Sequence, residues 1–234
     1  MEINKNYKLL IASTSTVYGS GYLEYILDEA VQFLNTDEIL FLPYARPSGV
    51  TFEEYTENPR KAFSTKGIRV KGIHEFDNPQ EAILQAKAIF TGGGNTFLLL
   101  KSLYELDLID ALRVAVNSRT PYMGTSAGSN ITGLTIGTTN DMPIVYPPNF
   151  DALGFLPFNL NPHYLDPDLN SKHKGETRET RIKEFHQFNS QAVLGLREGS
   201  WLEVKNGEIL LKGDLTARLF QQNQEAVEIS EIDF

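Results

Sequence analysis

Ala88-Ile89-Phe90-Thr91-Gly92-Gly93-Gly94-Asn95, then a helical segment from about Thr96 to Asn117, then Thr120-Pro121-Tyr122-Met123, is the stretch that decides the fold. A short apolar run ending in glycines reads as a buried strand, and apolar residues three and four apart read as an amphipathic helix. The same unit recurs upstream. Lys8-Leu9-Leu10-Ile11-Ala12, Glu38-Ile39-Leu40-Phe41-Leu42-Pro43 and Gly67-Ile68-Arg69-Val70 read as strands; Gly21 to Leu34, Phe52 to Lys66 and Pro79 to Lys87 read as helices. Repeated strand–helix–strand units imply an α/β fold whose mostly parallel sheet is sandwiched by helices, because each parallel crossover returns across a face. Active sites in such sheets lie at the carboxyl ends of the strands.

Beyond Gly133 the alternation weakens. The Pro- and Asn-rich stretch Thr138 to Asn149 reads as loop, Glu176 to Phe188 as a charged helix, and Ala192 to Leu196 as a strand. Asn206-Gly207 suits the type I′ turn of a C-terminal β-hairpin. With no repeat, low-complexity segment or linker, residues 1–234 read as a single domain.

A net charge of -9 repels polyanions, and no run of Lys and Arg offsets it, so neither nucleic acid nor membrane is an expected partner. An acidic small substrate then needs a local cation. The absence of cysteine excludes a thiol nucleophile and a Cys-based zinc site. Near Met1 the only apolar stretch, Leu9 to Ala12, is too short for a signal segment, so a cytoplasmic protein is expected.

Gly124-Thr125-Ser126-Ala127-Gly128 matches the G-x-S-x-G nucleophile elbow and lies between a strand and a short helical segment, the context that motif needs. An N-capping serine in a glycine-rich turn is the alternative. Gly92-Gly93-Gly94-Asn95 also joins a strand to a helix, so its amides and that of Ala127 could form an oxyanion hole. It fits neither the G-x-x-x-x-G-K-[ST] nor the G-x-G-x-x-G phosphate pattern.

Four histidines compete as base. His74 reads as a surface residue at a strand end and His186 as a solvated residue on the charged helix, while His173 has no distinguishing context. His163, in Asn161-Pro162-His163-Tyr164, follows the apolar run Gly154 to Leu160 at a strand end, and it is the candidate base. Two carboxylates could orient it: Asp141 in the loop after the nucleophile, and Glu198 after the strand Val193 to Leu196.

Together these motifs resemble the peptidase E family of aspartyl dipeptidases over nearly the whole chain. The resemblance rests on Gly92 to Phe97, Ser126-Ala127-Gly128, Thr138 to Val145, Asn161-Pro162-His163 and His173 to Glu179. It implies a class I glutamine amidotransferase-like fold with serine in place of cysteine, and removal of N-terminal aspartate from small Asp-initial peptides without cofactor or metal. It further implies Ser126 as nucleophile, His163 as base, Glu198 as its orienting acid, and Gly94 and Ala127 as oxyanion donors. Asp141 stays a second acidic site residue, and Arg178 becomes the candidate partner of the substrate carboxylate. Thr125 stands where some members have tryptophan. A monomer or homodimer is expected.

Three other functions fit less of the sequence. A cyanophycinase-like β-aspartyl peptidase shares the wider family, and a non-catalytic binding protein could use the same fold. An α/β-hydrolase esterase would need its histidine near the C-terminus, and none follows His186. Glu176, Arg178, Glu179 and Arg181 could equally form a solvated, salt-bridged helix face.

Overall fold

The structure, a computed structural model, describes residues 3–47, 49–168 and 175–232. His173 and Lys174 of the last motif lie outside the described residues. In chain order the strands are β1 (Lys8–Ala12), β2 (Glu38–Leu42), β3 (Arg69–Gly72), β4 (Ile89–Thr91), β5 (Tyr122–Thr125) and β6 (Asn159–Pro162). They continue with β7 (Val193–Leu196), β8 (Trp201–Lys205), β9 (Glu208–Lys212), β10 (Ala217–Phe220) and β11 (Val227–Ile229). The helices are α1 (Leu27–Leu34), α2 (Phe52–Ser64), α3 (Pro79–Gln85), α4 (Thr96–Glu105), α5 (Ile109–Asn117), α6 (Ala127–Asn130) and α7 (Arg178–Phe185).

The main sheet has the order β3-β2-β4-β5-β1-β8-β9, parallel from β3 through β1 and antiparallel at β8 and β9. Its parallel strands are apolar throughout because both faces are covered. Leu9, Ile11, Leu40, Leu42, Ile89 and Tyr122 face one core with α3, α4 and α5, while Leu10, Ala12, Ile39, Phe41, Phe90 and Met123 face the other with α1 and α2. The expected hairpin is present, with Asn206 and Gly207 at φ 57° and 86°, both on the positive side as a type I′ turn requires.

Helix starts follow local chemistry. Thr51 and Glu54 close a capping box on α2, and the Asn95 and Thr177 side chains accept from Leu98 and Thr180 N–H at the starts of α4 and α7. Two expected helices are shorter than their apolar spacing. Regular helix in Gly21 to Leu34 begins only at Leu27, after Leu23 at φ 58°. The segment Thr96 to Asn117 is two helices, because Asp107 at φ 53° ends α4 and Leu108 N–H returns to the Leu103 carbonyl. That is a Schellman closure, and an aspartate tolerates its left-handed residue.

A second sheet, β11-β10-β7-β6, carries β6 and β7 as a parallel pair. Arg197, just past β7, clamps it: its guanidinium grips both oxygens of Asp166 at 2.7 and 2.8 Å and both of Glu228 at 2.9 and 3.0 Å. Those hydrogen bonds, with one from Thr216, pull the Glu228 carboxyl down to about 2 despite its partial burial. A carboxylate depressed in the folded state adds stability above its ordinary pKa, near 4.3, and loses it as pH falls toward the folded value. Urea midpoints should therefore drop more between pH 4.5 and pH 2.5 for the native protein than for Glu228→Gln. Parallel losses in the two proteins would contradict the clamp.

Candidate active site

Ser126 lies at the turn from β5 into α6 with φ 54° and ψ -111°. Non-glycine residues pay of order 1–3 kcal/mol in such regions, so the surroundings must hold the turn. They do so by close backbone approach. A Cβ on Gly124 would stand 2.4 Å from the Gly128 carbonyl oxygen, and one on Gly128 would stand 2.1 Å from that of Thr91. Ser126 N–H also donates to the Ala12 carbonyl at the end of β1, 3.2 Å away. Although Ser126 occupies the N-cap position of α6, its side chain makes no capping bond. Its Oγ lies instead 2.8 Å from His163 Nε2.

His163 Nδ1 is 2.5 Å from Glu198 Oε1. A carboxylate only accepts, so Nδ1 carries the proton and Nε2 is left to accept from the serine hydroxyl. Of the two candidate carboxylates, Glu198 is thus the one at the imidazole. Asp141 Oδ2 accepts from Thr96 N–H at the start of α4, at 2.7 Å, and from Thr139 Oγ1, at 3.2 Å. Its loop nonetheless lines the same shallow cleft as Ser126, Ala127, Asn130 and His163.

The histidine is fixed through its backbone. His163 stands at φ 54°, and its N–H donates at 2.9 Å to Ser13 Oγ, which in turn donates at 2.7 Å to the Leu196 carbonyl. Ser13 is fully buried and was not among the residues expected at the site. The only sequence signal for it is a small polar residue directly after an apolar strand. The Asn-rich motifs supply the rest: Asn140 Nδ2 donates to the Pro162 carbonyl, and Asn161 Nδ2 to the Thr138 carbonyl and Asn140 Oδ1. The loop before Asp141 and the strand before His163 are therefore one hydrogen-bonded unit.

The glycine loop packs on Ser126. A Cβ on Gly93 would stand 2.9 Å from Ser126 Cβ, and Gly94, at φ 142°, lies so close to Ala45 that a Cβ would stand 2.3 Å from its carbonyl oxygen. Ala127 opens α6, so its N–H has no acceptor within that helix.

Arg178 is the first residue of α7, half-buried. Burial, with the field of Arg181, lowers its pKa, and the Asp141 carboxylate acts in the opposite sense. The expected alternative, a salt-bridged helix face, accounts for its neighbours: Arg181 pairs with Glu176, and Lys183 and Arg218 pair with Glu179. Among the described residues no ion pair takes in Arg178.

The other two described histidines stand apart. His186 is buried rather than solvated, its Nε2 3.0 Å from the Gln191 carbonyl. His74 Nε2 contacts Glu53 at 3.0 Å. Glu53, His74 and Glu75 have metal-ligand spacing, but Arg60 already bridges Glu53 at 2.6 Å and Glu75 at 3.0 Å. A larger groove of about 740 Å³ runs along β9 and residues 230–232, and no histidine lines it. The contact between Ser126 and His163 lies in the shallow cleft.

Among the described residues, no helix is long and apolar enough to cross a membrane. The chain is 50% identical to a protein named peptidase E from Streptomyces coelicolor, across 92% of this chain and 87% of that one. It is 46% identical to a protein named probable alpha-aspartyl dipeptidase from Drosophila melanogaster, across 91% and 89%. Its fold matches the crystal structure of a peptidase from an acI-B1 actinobacterium with a TM-score of 0.67, at 17% identity, across 97% and 98%. The model of peptidase family S51 matches residues 9–212. With that match and these identities, the chain belongs to peptidase family S51.

Proposed function

We propose that this protein is a serine dipeptidase hydrolysing the bond after an N-terminal aspartate. One observation carries the reading: a Ser126–His163–Glu198 relay of 2.8 and 2.5 Å at the cleft that Asp141 also lines, with the half-buried Arg178, which no ion pair takes in among the described residues, within the field of Asp141. The name of the Drosophila relative, probable alpha-aspartyl dipeptidase, supplies the aspartate. Small Asp-initial peptides would be its substrates, with no cofactor, in the cytoplasm, and the chain would act as one catalytic domain.

In this reading Ser126 Oγ attacks the scissile carbonyl while its proton moves to His163 Nε2, and Glu198 stabilises the imidazolium through Nδ1. The N–H groups of Ala127 and Gly94 receive the developing oxyanion. His163 then returns the proton to the leaving amine, and water repeats the sequence on the acyl-enzyme. Arg178 offers a planar fork to the aspartate side chain, offsetting a net charge of -9 that otherwise repels it. Asp141, with one oxygen held by Thr96 and Thr139, is an anion suited to the substrate's ammonium group.

Ser126→Ala should lower kcat on Asp-Leu by about 10³-fold or more with unchanged thermal unfolding. Retained turnover in the folded variant would reject the serine mechanism. Glu198→Gln should act mainly on kcat and Asp141→Asn mainly on KM. The reverse pattern would exchange their roles.

For specificity, Arg178→Met should reduce kcat/KM for Asp-Leu by roughly 10-fold or more, as expected for loss of a charge-assisted hydrogen bond, and that for Asn-Leu far less. Equal losses on both peptides would remove Arg178 from the aspartate subsite.

A further inference from the structure

An Asp-initial dipeptide carries two carboxylates, on its first side chain and at its C-terminus. Arg178 answers the first. We propose that Arg46 binds the second, an assignment that rests on the dipeptidase reading and explains why short peptides would be preferred.

Arg46 follows β2 at the carboxyl end of the sheet. Its backbone is fixed against the glycine loop, because the carbonyl of Ala45 accepts from Asn95 N–H at 2.7 Å and abuts Gly94. Its guanidinium carbon stands 4.8 Å from the centroid of the Tyr55 ring. Tyr55 Oη donates at 2.8 Å to the Gly93 carbonyl, and Gly93 packs directly on Ser126. The contacts from Arg46 through Tyr55 and Gly93 thus end at the nucleophile. One extended residue spans about 3.3–3.6 Å, so a residue leaving Ser126 can bring its terminal carboxylate toward this cation.

Position on the fold separates the two cations. Tyr55 belongs to the core on the α1 and α2 face, whereas Ala127 and Phe97, beside Thr96 and Asp141, belong to the core on the α4 face. A dipeptide lying over the crest of the sheet at Ser126 therefore meets Arg178 and Asp141 on one side and Arg46 on the other. Arg60, Arg69, Arg113, Arg197 and Arg218 each have a carboxylate partner, but no ion pair takes in Arg46 among the described residues. Contact with the Tyr55 ring and hydroxyl holds the guanidinium in place, and its five N–H donors leave others for a carboxylate. A longer peptide has an uncharged amide at that place and forfeits the contact.

The test compares Asp-Leu with Asp-Leu amide, which differ only in the terminal charge, on the native protein and on Arg46→Met. The native protein should prefer Asp-Leu by roughly 10-fold in kcat/KM, through KM, and Arg46→Met should lose most of that preference while losing little on the amide. A native protein that treats acid and amide alike, or a variant that loses equally on both, overturns the assignment. Asn-Leu and Asn-Leu amide keep the two readings distinguishable. Equal cleavage of Asp-Leu and Asn-Leu would reject the aspartate preference, and the Arg46 comparison then holds on the Asn pair. Hydrolysis of none of the four peptides would reject both.

Discussion

The Ser13 hydroxyl accepts from the backbone of His163 and donates to the carbonyl of Leu196, so one buried group ties together the ends of β1, β6 and β7. The proposed catalytic set depends on that tie because it is divided between two sheets. Ser126 rises from β5 in the main sheet, and its N–H is held by Ala12 at the end of β1. His163 and Glu198 follow β6 and β7 in the second sheet. Ser13 is the next residue after Ala12, so nucleophile and base are both referenced to the same strand end. A shift of the sheets by even an ångström would open the 2.8 Å contact, and misplacement on that scale is costly in catalysis.

Electrostatics adds a second constraint. Under the proposed function, a chain with a net charge of -9 recognises an acidic ligand through cations that its own carboxylates have not neutralised. Most of its arginines are consumed in ion pairs, and one such cluster, around Arg197, serves the second sheet immediately beside Glu198. That position lets a structural clamp steady the carboxylate that faces His163. In the proposed reading Arg178 and Arg46, which no ion pair takes in among the described residues, are the cations left for the substrate's two carboxylates.

The alternating strand and helix units were legible because parallel strands buried on both faces must be continuously apolar, and the elbow was legible because its glycines answer to backbone approach. Less was legible where the cause is tertiary. The break at Asp107 leaves the apolar spacing of Thr96 to Asn117 intact, so periodicity alone reads one helix. β10 and β11 are only four and three residues long and half-exposed, too short to register as alternation. His186 sits in a charged segment, yet it folds inward onto the Gln191 carbonyl. The choice between Asp141 and Glu198 turns on which side chain reaches an imidazole 22 or 35 residues away in sequence, and nothing local encodes that. Ser13 was missed for the same reason, since its partners lie 150 and 183 residues away.

The central claim is that His163, held by Glu198 and by the Ser13 tie, activates Ser126 and no other hydroxyl. Labelling with a fluorophosphonate, followed by peptide mass spectrometry, tests it most directly. The account predicts a single stoichiometric adduct on Ser126 that is lost in folded His163→Ala. An adduct on another residue, or undiminished labelling of Ser126 in His163→Ala, would contradict it.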